Sequence, residues 1–123
     1  MNESLVTSLP TSKLLLEKGF PQDSYFVWCE GKLNPVPREE ALFHPLSYGD
    51  GIAAPLTDEL LAELPQLVIG GDQEKYYLKI GKGNNGNWFA VYERAGEMDY
   101  FREIFVENKL LPEALAQLYI KIK

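Results

Sequence analysis

A chain of 123 residues with 46% apolar and 24% charged residues is large enough to bury one hydrophobic core without metals or disulfides, so a single domain spanning 1–123 is expected. Eighteen acidic against twelve basic residues, a formal charge of −6, argue against an unaided nucleic-acid-backbone binder, which needs Lys and Arg to displace counterions. No apolar run approaches the roughly 20 residues of a membrane span, the opening MNESLVTSLP has no basic-then-apolar leader pattern, and the lone Cys29 has no partner for an internal bridge, so a soluble cytoplasmic protein is expected.

The first predicted element is a helix in SLPTSKLLLEKGF. Ser8 can cap it, Pro10 is tolerated in the first turn, and Leu14, Leu15 and Leu16 favour helix. Gly19 suits the left-handed position that ends it, which would set Phe20 against Leu15 in a Schellman motif. SYFVWCE follows as a strand, with Tyr25, Val27 and Cys29 on one face and Phe26, Trp28 and Glu30 on the other. Gly31 and Lys32 are expected to turn the chain.

Between Pro35 and Pro55 four prolines and two glycines leave room only for short strands or one helical turn. A connection of this length in a compact domain is usually functional. LTDELLAELP is expected to be a short helix with Thr57 as N-cap, Asp58 and Glu59 at its positive end, Leu56 stapled to Leu61, and Pro65 beyond its end. QLVIGG reads as a brief strand running into a turn.

GKGNNG contains Gly81, Gly83 and Gly86 at the spacing G-x-G-x-x-G of a phosphate-binding loop. Such a loop must open a helix, whose unpaired amides hold the phosphate. Here KYYLKI precedes it and NWFAVYER follows it, and both alternate like strands. The reading is a hairpin turned at Asn84, Asn85 and Gly86, with positive backbone angles supplied by these three. No nucleotide role is expected.

FREIFVE is open to strand or helix. LLPEALAQLYIKIK is a helix with a stripe of Leu111, Leu115, Leu118 and Ile122, and with Glu113 and Lys121 placed to complement its dipole. The order of elements predicts an α+β fold: a small antiparallel sheet of about four to five strands packed with two or three helices.

Chemistry-bearing residues are few. His44 is the only histidine and no G-x-S-x-G elbow accompanies it. Cys29 shares a strand face with Tyr25 and Val27, which suits packing better than nucleophilic attack. One Cys and one His do not make a usual zinc site, the EF-hand calcium pattern is absent, and no cofactor is expected. The candidate partner-binding residues are Phe43, His44 and Tyr48 in the long loop, with Trp28, because aromatic side chains anchor interfaces. Trp88 and Tyr92 read as core.

LPTSKLLLEKGFPQDSYFVW, APLTDELLAELP and LPEALAQLYIKI together resemble a family of small uncharacterised bacterial proteins associated with prophage-like regions. The resemblance implies a small α+β fold and a mobile-element origin, and no activity. The expectation is a non-enzymatic accessory protein that binds a protein partner, with no nucleic acid or membrane and with oligomeric state open. The alternative is a small hydrolase using dispersed carboxylates, such as Glu40 or Asp50, with His44.

Overall fold

The computed structural model describes residues 3–36, 51–70, 73–94 and 105–123. After a 3-10 turn at Glu3–Leu5 comes helix α1, Leu9–Glu17. Ser8 caps it: the Ser8 hydroxyl accepts the Thr11 N–H at 3.4 Å. At the other end the Gly19 and Phe20 amides donate to Leu16 and Leu15 at 3.1 and 3.0 Å, with Gly19 at φ 84°. These are the paired bonds of a Schellman ending, and they turn Phe20 into the same core cluster as Leu15.

Strands β1 (Phe26–Cys29) and β2 (Lys32–Pro35) form a hairpin, and β3 (Ile52–Ala53) pairs with the other edge of β1, all antiparallel. Cys29 pairs with Lys32, so the turn is Glu30–Gly31, one residue earlier than the sequence suggests. Both turn residues have positive φ, 53° and 75°, as a two-residue turn matching the strand twist requires. Val27 and Trp28 are both buried, so β1 is covered on both faces.

Helix α2 spans Thr57–Glu63. Its N-cap is Leu56, which corrects the assignment of Thr57. Leu56 brings no hydroxyl: the Asp58 carboxylate accepts the Glu59 N–H at 3.1 Å, and the Glu59 carboxylate reaches back to accept the Leu56 N–H at 3.1 Å. Leu56 packs towards Val6, Trp28 and Ala54, and it borders a shallow depression together with the exposed Leu61.

A second antiparallel sheet has the order β4 (Leu67–Ile69), β5 (Lys75–Lys82), β6 (Trp88–Arg94), β7 (Val106–Asn108). The last helix, α3, spans Leu111–Ile122. Asn108 Oδ1 accepts the Leu110 N–H at 3.0 Å just before it, and Pro112 lies in its first turn, where a missing N–H costs nothing. The fold is α+β, with three α-helices and two antiparallel sheets of three and four strands among the described residues. The expected strands are thus divided between two sheets.

The main core forms where α3 meets one face of the larger sheet. Val68, Tyr76, Leu78, Ile80, Trp88, Ala90, Tyr92 and Val106 supply the sheet side, and Ala114, Leu115, Leu118 and Tyr119 the helix side. Helices α1 and α2 flank α3, and so Ala116 is buried as well. Phe20 meets Tyr119 edge to face at 5.1 Å. No helix among the described residues is long and apolar enough to cross a membrane.

Candidate functional site

The period-2 alternation that sends one set of side chains to α3 sends the other set outward. On β6 the inward residues are Trp88, Ala90 and Tyr92, and the outward ones Phe89, Val91 and Glu93. Across the sheet, Tyr77 lies opposite Glu93, Lys79 opposite Val91, and Phe89 between Gly81 and Glu107. A groove of about 500 Å³ opens on this outer face, with Phe89, Val91 and Phe105 as its apolar lining. Lys79, Glu93, Glu107, Asn85 and Asn87 supply its polar groups.

The glycines of GKGNNG shape this groove, and each does so differently. At Gly81 a Cβ would stand 2.5 Å from the Phe89 ring, so the aromatic ring lies directly on the glycine backbone. Gly83 donates to the Asn87 carbonyl at 2.8 Å, the last rung of the hairpin. Gly86 donates to the Gly83 carbonyl at 3.0 Å and has φ 84°. The loop is therefore three residues, Asn84 to Gly86, and only Gly86 takes a positive angle; the asparagines do not. Asn85 instead uses its side chain, accepting the Asn87 N–H at 3.0 Å through Oδ1. The stretch joins two strands, so no helix amides converge there to hold a phosphate.

The polar rim is internally paired. Lys79 Nζ lies 3.4 Å from Glu93 Oε2. Glu107 Oε1 accepts from the amide groups of Asn85 and Asn87 at 2.6 and 3.3 Å, tying the hairpin tip to β7. With two carboxylates against one ammonium, the rim described is net acidic.

Trp28 stands elsewhere, 7% exposed beside Val6 and Ala54, its indole N–H donating to the Thr7 carbonyl at 2.9 Å. It borders a depression of about 290 Å³ together with Leu9, Leu110 and Glu113. Glu113 is only 8% exposed, but both its oxygens are occupied: one accepts the Ser8 N–H at 2.5 Å, the other the Thr11 hydroxyl at 2.6 Å. Next to them the Thr7 and Ser12 hydroxyls bond each other at 2.6 Å. This is a satisfied buried network that fastens the start of α1 to α3.

Burial raises the Glu59 carboxyl above the usual carboxylate range, an effect opposed by the Leu56 N–H and by the Ser24 hydroxyl, 3.0 Å away. These two bonds give Glu59 a capping role. Phe43, His44 and Tyr48, and likewise Glu40 and Asp50, lie outside the described residues. Among the described residues no group of three or more His, Cys, Asp or Glu side chains is arranged to hold a metal ion.

The groove was not singled out by sequence reasoning, although a signal for it was present. NWFAVYER is apolar at both parities: Trp88, Ala90 and Tyr92 on one, Phe89 and Val91 on the other. One parity fills the core, which leaves the second to make an apolar outer face. No protein-family model, curated protein or solved structure matches the chain, and the groove's chemistry rests on its own geometry.

Proposed function

We propose that the protein is a non-enzymatic accessory module that binds a protein partner through the outer face of its larger sheet. The observation that carries this reading is the apolar lining of Phe89 and Phe105 over the buried Val91, flanked by polar groups on a sheet whose other face is already filled by α3. An apolar centre inside a polar, water-excluding rim is the anatomy of a protein interface. The acidic rim disfavours a nucleic-acid backbone and suits a partner segment with an apolar anchor next to a basic side chain. The resemblance to proteins of prophage-like regions fits a phage-derived accessory role without enzymatic chemistry.

Affinity capture from the native host, followed by measurement of binding to the purified partner, tests the reading. Phe105→Ala removes apolar lining and Glu107→Lys reverses the rim charge. Each is expected to weaken binding by about tenfold or more, the effect of a hot-spot residue, while the melting temperature shows that the variant is folded. Undiminished binding by both folded variants would remove the groove from the interface.

A further inference from the structure

Strand β4 forms one edge of the larger sheet as described, with β5 its paired neighbour. The Gln66 carbonyl accepts from Leu78 N–H at 3.0 Å, and Gly70 N–H donates to the Glu74 carbonyl at 2.9 Å. Val68 stands opposite Tyr76 between them. In an antiparallel ladder the residues bonded to the neighbour alternate with residues whose N–H and C=O point away. Positions 66, 68 and 70 therefore face β5, and the backbone groups of Leu67 and Ile69 point off the sheet edge. The same two side chains are exposed, Leu67 at 39% and Ile69 at 56%.

Edges are ordinarily protected by a charged side chain, a proline within the strand, or a bulge. Between Pro65 and Gly70 the sequence is Gln-Leu-Val-Ile, with no charge, and its register to β5 is unbroken. We propose that β4 pairs with β4 of a second copy of this chain, antiparallel, about a two-fold axis at Val68.

The register follows from the alternation. With Val68 opposite Val68, Leu67 of each copy meets Ile69 of the other, and those are the residues with outward-pointing groups. Each such pair exchanges two backbone hydrogen bonds, so the two-fold gives four. Leu67 and Ile69 also share the outer face, so each hydrogen-bonded pair is an apolar side-chain pair too. An uncharged strand brings no like charges into opposition, which matters for a chain of formal charge −6. A second copy thus satisfies donors, acceptors and apolar surface together, as the self-complementary patch of a two-fold dimer must. The two outer faces would join into one eight-stranded surface. The footprint is far smaller than the ~1,600 Å² of a standard interface, so the dimer is weak, with a dissociation constant on the order of 0.1 mM.

Sedimentation of the intact chain from about 10 μM to about 1 mM, with amide exchange measured over the same range, tests this. The expected result is a rise towards twice the monomer mass. Protection of the Leu67 and Ile69 amides should grow roughly fourfold with concentration, while Val68, bonded to β5 throughout, stays constant. Ile69→Lys, at an exposed site, should keep the chain folded and monomeric. A monomer throughout, including one whose β4 edge binds only a foreign peptide strand, overturns the proposal. So does a dimer in which Leu67 and Ile69 exchange as in the monomer, or one that folded Ile69→Lys leaves intact.

Discussion

The two ends of α3 are held by opposite kinds of chemistry. Its middle and C-terminal half press Leu115, Leu118 and Tyr119 onto the larger sheet, an interface made almost wholly of apolar contact. Its first turn instead meets α1 through Glu113, Ser8 and Thr11, a polar junction with Trp28 and the smaller sheet close by. Apolar burial is roughly proportional to area and tolerant of direction. A buried carboxylate contributes only while its donors stay in place, and it fixes one geometry in doing so. The sheet interface therefore supplies the stability, and the polar junction sets how the N-terminal segment is seated.

Leu118→Ala should weaken the apolar interface the most. The side chain is fully buried, and a core truncation of this kind costs about 2–5 kcal/mol. The urea midpoint should fall by about 1 M or more, given a slope of roughly 1–3 kcal/mol per M. An unchanged midpoint would mean that α3 is not the centre of the core.

Glu113→Ala probes the other end. It strands the buried Thr11 hydroxyl, at about 1–3 kcal/mol for a buried group left unsatisfied, whereas the half-buried Ser8 N–H can turn to water. Glu113→Gln should recover most of this loss, since an amide oxygen can accept from Ser8 while the Thr11 hydroxyl turns to accept from the amide nitrogen. Equal midpoints for Ala and Gln variants would show that position 113 matters for packing and not for hydrogen bonding.

The smallest effect concerns a polar tie inside the sheet interface, from Tyr92 to the chain before β4. Tyr92 is fully buried and its hydroxyl donates to the Pro65 carbonyl at 2.6 Å. Burial pushes its pKa up to about 12. The folded state then holds this proton more tightly than the unfolded chain, so its contribution is complete below about pH 10 and is lost as pH rises through about 12. Tyr92→Phe should cost about 1 kcal/mol at neutral pH, the net worth of one hydrogen bond. It should also flatten the fall in stability between these two pH values. A variant with the same alkaline slope as the wild type would assign that slope to other groups.

Local chemistry was the readable part of this protein. Ser8, Gly19 and Phe20 bound α1 as their residue types demand, since caps and Schellman endings are made within a few residues of chain. The hairpin at Gly81–Gly86 was legible for the same reason, and so was the buried stripe of Leu115 and Leu118. The N-cap fell at Leu56 and not Thr57, with the first-turn amides served by Asp58 and Glu59, and Glu59 is itself bonded by Ser24 from a distant segment.

Neighbours along the chain were enough to set the α+β class, the helices, the strand alternation and the Gly81–Gly86 hairpin. Contacts between distant segments settled that the strands part into two sheets, that Glu113 meets Ser8 across 105 residues, and that Phe89 rests on Gly81 beside Phe105. Pairing partners and buried polar contacts are choices among many distant groups, settled by which arrangement leaves the fewest donors and apolar faces unsatisfied at once. Periodicity can announce that a strand has two apolar faces. Which of them is covered depends on where the third helix comes to rest.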